Sequence, residues 1–92
     1  MDISELLDAA KRKKRTLGAV ALELNLHQSR LSQWKSGQFK PDATQIAQLA
    51  EMAELPIFKT VAEVEASLEG GEAAKVWQRA LTTLTGALKI QE

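Results

Sequence analysis

The stretch LNLHQSRLSQWKSG, residues 24–37, sets four apolar residues (Leu24, Leu26, Leu31 and Trp34) among polar ones. Leu31 and Trp34 stand three apart, on one face of a helix predicted from Gln28 to about Ser36. Gly37 supplies the left-handed residue that closes such a helix. The opposite face carries Gln28, Ser29, Ser32 and Gln33, with Arg30 at its flank. A helix this short and this polar, held by two apolar residues, has a surface to present. Its side chains are of the kinds that read base edges in a major groove: Gln pairs with adenine, Arg with guanine, Ser with either. Gln28, Ser29, Arg30 and Gln33 are therefore the candidate base-reading residues, and the helix has the anatomy of a recognition helix.

The neighbouring segments support the same frame. Asn25-Leu26-His27 is a tight connection in which Asn25 tolerates a left-handed conformation and Leu26 plugs the angle between two helices. Upstream, Thr16 caps a second helix whose Val20, Ala21 and Leu24 face inward. Asp2 and Glu5 form a capping box for a first helix, with Ile3, Leu6, Leu7 and Ala10 as its stripe. That helix runs out into KRKKR, residues 11–15. Downstream, Pro41-Asp42 opens a fourth helix with Ile46, Leu49, Ala50 and Ala53 inward. Pro56 begins a fifth, with Ile57, Val61, Val64 and Leu68. Gly70-Gly71 breaks the chain before a sixth helix, from about Glu72, whose Trp77, Leu81, Leu84 and Leu88 follow a 4-3-4 spacing. No segment alternates with period two between hairpin turns. The fold class is all-α, organised as residues 1–69 and a C-terminal helix over 72–92.

Composition narrows the function classes. The 92 residues include no Cys and one His, so disulfide and thiolate chemistry are excluded. There is no Ser/His/Asp cluster, no Gly-rich phosphate loop and no metal-ligand spacing, which argues against an enzyme and against a metal or cofactor. No apolar run reaches the roughly 20 residues of a membrane helix. The start, MDISELLDAAKRKK, lacks an apolar signal core, so a cytoplasmic location is expected. The formal net charge is zero, yet it is divided: residues 1–40 carry eight Lys/Arg against four Asp/Glu, and residues 41–92 carry four against eight. A basic half suits a polyanion, and an acidic half stays off it.

Residues 16–53, TLGAVALELNLHQSRLSQWKSGQFKPDATQIAQLAEMA, resemble the helix-turn-helix of the lambda-repressor/Cro (Xre-type) family. The resemblance is carried by Ala21, the Leu24-x-Leu26 turn, Leu31-Ser32-x-Trp34, Gly37, Pro41 and the Ile46/Leu49/Ala50 pattern. Three positions depart from the family: Leu17 where a phosphate-contacting Gln is common, Gly18 where Ala is usual, and Asn25 in place of Gly. More loosely, DAAKRKK followed by this module and GEAAKVWQRAL resembles short repressor-like proteins of filamentous phages and prophages. The resemblance implies a five-helix module that binds double-stranded DNA and regulates transcription, as a phage-type repressor on an inverted-repeat operator. Beside such a module, Lys13, Lys14, Arg15, Thr16, His27, Lys35, Ser36 and Lys40 are the expected phosphate contacts.

Each feature also has a plainer reading. The KRKKR run suits any helix C-terminus, His27 is a flanking or capping residue, and Trp34 is core. The sixth helix either packs on its own module or pairs with a second copy. The expected homodimer interface is Val61, Val64, Leu68, Val76, Trp77, Ala80, Leu81, Leu84 and Leu88. With no inducer domain expected, a second protein that relieves repression is a further partner. Two alternatives stay open: an antitoxin-like autoregulator whose C-terminal half binds a toxin, and a helix-turn-helix fold used only for protein interaction.

Overall fold

A computed structural model describes the backbone of residues 1–91 and the side chains of residues 1–84. Six helices follow one another: α1 (Ile3–Lys14), α2 (Leu17–Glu23), α3 (Gln28–Ser36), α4 (Ala43–Met52), α5 (Ile57–Leu68) and α6 (Gly71–Gln91). The described residues contain no strand.

Local chemistry accounts for the boundaries. Asp2 Oδ1 accepts the Glu5 N–H at 2.9 Å, and Glu5 Oε1 accepts the Asp2 N–H at 3.2 Å, closing the capping box of α1. Thr16 Oγ1 accepts the Ala19 N–H at 3.0 Å and starts α2. A second capping box, between Asp42 and Gln45, starts α4 with bonds of 2.7 and 2.8 Å. Each such cap stabilises its helix by about 1 kcal/mol. Asn25 at φ 59° and Gly37 at φ 83° take the positive-φ conformations expected of them. Arg15 at φ 82° and Glu54 at φ 59° do so as well, at a cost that a β-carbon makes real.

The core forms where α1 packs against α2, α3, α4 and α5. Leu6, Leu7, Val20, Leu31, Ile46, Leu49 and Val64 are fully enclosed there, with Trp34 almost so. Leu24 and Leu26 pack against this cluster from the α2–α3 connection. The expected stripe of α5 needs one correction. Ile57 is largely outside the core, while Thr60 and Ala62 are buried. Ile57 opens the helix, and its side chain, tilted toward the N-terminus, overhangs the end. Ala62 is buried because α5 is covered on a second side by α6, which packs along it.

Gly18 lies in the first turn of α2 and is open to Ala. A β-carbon there would sit 3.3 Å from Gln28 Oε1, the far end of a flexible side chain that can give way. Gly18→Ala is expected to stabilise the fold by about 0.5–1 kcal/mol through helix propensity. Thermal denaturation checks this: the midpoint should rise by roughly 2–8 °C. A lower midpoint would mean that Gln28 is fixed against α2.

Candidate nucleic-acid interface

The connection between α2 and α3 is stiff. Asn25 N–H bonds the Leu22 carbonyl at 3.0 Å and Leu26 N–H bonds the Ala21 carbonyl at 2.9 Å. Leu31 and Trp34 then pin α3 to the core. The close approach of Gln28 Oε1 to Gly18 puts the first turns of α2 and α3 side by side. On the outward side of α3, Gln28, Ser29, Arg30 and Ser32 are exposed and Gln33 is half-buried.

The four candidate base readers are not equally free. Gln28 leans against the first turn of α2. Ser29 Oγ lies 3.1 Å from His27 Nδ1. The Arg30 guanidinium sits 5.3 Å from the centre of the Phe39 ring. The Gln33 carbonyl anchors the following loop, accepting the Gln38 N–H at 3.0 Å and the Phe39 N–H at 3.3 Å.

The candidate phosphate contacts divide more sharply. Thr16 uses its oxygen as a cap and keeps its O–H to donate. Arg15 and Lys40 are exposed, and neither has an ion-pair partner among the described residues. His27 occupies the N-cap position of α3 but its side chain makes no capping bond, so the first N–H groups of α3 lack a side-chain acceptor. Ser36 is corrected: its hydroxyl donates to the Gln33 carbonyl at 3.1 Å and is engaged within the helix. Lys13 and Lys14 are also corrected. They pair with Glu54 at 2.6 Å and Glu23 at 2.8 Å. Both line a groove that also holds Glu51, where carboxylates outnumber ammonium groups, so neither offers net positive charge to a phosphate.

Lys35 pairs with Asp8 across α1 and α3 at 2.9 Å. Its hydrogen bond and its charge hold the Asp8 carboxyl below the usual carboxylate value, with Arg12 and Lys11 adding smaller effects. Asp8, Lys11, Arg12 and Arg15 line one shallow groove of α1. Lys11 and Arg12 therefore belong to the candidate surface, while Lys13 and Lys14 do not. Helical spacing carries this signal. Residues 8, 11, 12 and 15 share one face, and 13 and 14 turn to another. By the same spacing, Gln28, Ser32 and Lys35 form one stripe of α3, which links its polar face to the cations of α1.

Near Lys40, Glu65 carries the opposite perturbation. Burial, then the charge of Glu69, pushes its carboxyl above the ordinary value of 4.5; Lys40 opposes this and Asp42 adds to it. A carboxyl raised on folding destabilises the fold once it ionises, so this effect is absent below pH 4.5 and grows as pH rises through the window above it. Glu65→Gln is expected to stabilise the fold at pH 7 by no more than about 0.5 kcal/mol, raising the melting midpoint by up to about 4 °C, and to leave it unchanged near pH 3.5. An equal shift at both pH values would reject ionisation as the cause.

The expected dimer surface is partly redrawn. Val64 is fully enclosed in the core of its own module and cannot meet a partner. Val61 and Leu68 are half-buried against that core. Trp77 and Leu81 are half-buried between α5 and α6, whereas Val76, Ala80 and Leu84 are exposed. The Leu88 side chain lies outside the described residues. An apolar groove runs between the two helices, lined by Phe58, Ala62, Trp77, Ala80, Leu81 and Leu84. Phe58 on its rim is 85% exposed. Phe58 and Ala62, one turn apart on α5, line this groove and are not among the residues expected from the sequence.

Among the described residues, no group of His, Asp and Glu is placed to hold a metal ion. Nor is any described helix long and apolar enough to cross a membrane. Compared with protein families, with curated proteins and with solved structures, the chain matches none.

Proposed function

We propose that the protein is a sequence-specific, double-stranded DNA-binding transcriptional regulator of the helix-turn-helix type. In this reading it is a phage-type repressor that acts as a homodimer on an inverted-repeat operator. The observation that carries this is α3: Leu31 and Trp34 hold it in the core while Gln28, Ser29 and Arg30 stand open beside the first turn of α2. The cations of α1 and Lys35 supply a flanking positive surface. The resemblance of residues 16–53 to lambda-repressor/Cro proteins supports the same reading.

In this mechanism α3 enters the major groove and Gln28, Ser29, Arg30 and Gln33 read base edges. Thr16, Arg15, Lys40, Lys11 and Arg12 bind phosphates. Lys35 joins them by exchanging Asp8 for a phosphate oxygen. Bound regulator occludes the promoter.

A second copy closes on the α5–α6 groove. Phe58 belongs to the same patch as the groove, so a two-fold axis lets each copy fill the other, as an isologous interface requires. Two α3 helices then read half-sites about one helical turn apart.

Selection of bound duplexes from a random pool at about 150 mM salt tests the proposal, because purely electrostatic binding is suppressed there. An enriched inverted repeat is the expected result. No enrichment by folded protein would reject DNA reading in favour of a protein-interaction module.

A further inference from the structure

Arg30 is the longest of the exposed donors on α3, and a long side chain is a poor reader unless something fixes its direction. Here the loop after α3 provides the fixture. Gly37 turns the chain back at φ 83°. The N–H groups of Gln38 and Phe39 both bond the Gln33 carbonyl, at 3.0 and 3.3 Å, and the Ser36 hydroxyl donates to the same oxygen at 3.1 Å. The loop is thereby tied to α3 itself. The Phe39 ring, 46% exposed, is left out of the core and lies beneath the Arg30 guanidinium, 5.3 Å from ring centre to its central carbon. An aromatic residue that adds so little to the core has another use.

We infer that Phe39 is a positioning residue: its ring holds the Arg30 guanidinium, over an aromatic face, in the direction from which it reads a guanine. This rests on the DNA-reading proposal above and names the device that gives one base contact its specificity. The ring attracts the cation through its quadrupole while leaving the N–H edges of the guanidinium free. Those edges are the donors that a guanine O6/N7 pair requires. Phe39 itself needs no contact with DNA.

The test combines base selection with a measurement on the free protein. Wild-type protein, Phe39→Ala, Phe39→Trp and Arg30→Ala are each used to select duplexes, and affinities are measured for the selected site and for its single-base variants. Phe39→Ala is expected to lower discrimination about two- to fivefold, the size of an exposed cation–π contact, and only at the base pair where Arg30→Ala acts. Phe39→Trp restores it, and the salt dependence stays unchanged. In the free protein, Arg30 side-chain proton resonances shift upfield under the ring, and Phe39→Ala removes that shift. Unchanged discrimination in Phe39→Ala would overturn the inference while leaving DNA reading intact. An equal loss on every sequence would also overturn it, by making Phe39 a backbone contact. Failure of wild-type protein to select any sequence overturns both readings together.

Discussion

Trp34→Ala is expected to bring the protein to the edge of unfolding. Trp34 is 2% exposed and is the largest side chain of the core. Removing a buried Trp costs about 3–5 kcal/mol, through lost burial and the cavity left behind. The whole stability of a small domain is about 5–15 kcal/mol. For a chain of this size each kcal/mol moves the midpoint by about 4–8 °C, so a fall of at least about 12 °C is expected. Circular dichroism on heating measures it. The site makes the effect selective as well as large. Trp34 and Leu31 are the only buried residues of α3, so their loss frees the helix from the core before the α1–α4 contacts fail. Trp34→Phe keeps an aromatic body and should recover most of the midpoint. A midpoint for Trp34→Ala within a few degrees of wild type would show that Leu31 and the helix connections hold α3 without Trp34.

The reasons that the spacing of α3 was legible are physical. Leu31 and Trp34 are both buried, and every other residue of α3 is exposed except Gln33. A short amphipathic helix with two anchors leaves little choice of face. The caps were legible for a similar reason: Asp2 with Glu5, and Thr16, satisfy backbone donors within three residues of themselves, so no distant contact can override them. The KRKKR run misled because charge was counted along the chain rather than around the helix. Residues 13 and 14 turn toward Glu54 and Glu23, which lie outside α1. The stripe of α5 misled because it was assigned one buried face. A helix covered by α4 on one side and α6 on another buries Thr60 and Ala62 too, and nothing within α5 announces that second neighbour.

Carboxylates set among the cations of the basic half shape how its surface works. Three Lys residues of the basic half, Lys13, Lys14 and Lys35, are each paired with a carboxylate. Exposed pairs of this kind contribute little to stability. Their larger effect in the proposed function is on binding. Lys13 and Lys14, held by Glu54 and Glu23, are withheld from counterion-releasing contacts, which lowers affinity for any phosphate backbone alike. Arg30, Gln28 and Ser29 have no carboxylate partner among the described residues, so base reading is left intact. In the proposed function the pairing lowers specific and non-specific affinity together, and their ratio is left to the base contacts of α3.

Phe58→Glu should convert the proposed dimer to folded monomers and cut operator affinity by about 30-fold or more. Phe58 is 85% exposed in the single chain, so the substitution removes almost nothing from the monomer core. Its stability cost there is that of a surface change, about 0.5 kcal/mol or less. At a two-fold interface the same substitution acts twice. Each copy loses an aromatic that would bury about 150–250 Å², and each groove, lined by Trp77, Ala80, Leu81 and Leu84, receives a carboxylate instead. A monomer reads one half-site. Losing the other removes at least two base contacts worth about 1–3 kcal/mol each, which is about 30-fold at the low end. Leu84→Glu, at a site 40% exposed on the opposite wall of the groove, is expected to act alike. Sedimentation of wild type and both variants gives the mass, and titration of a single operator gives the affinity. A wild-type protein already monomeric at micromolar concentration, binding a single half-site with Phe58→Glu unchanged, would remove the groove from DNA recognition. The exposed aromatic would then serve a partner other than a second copy of this chain.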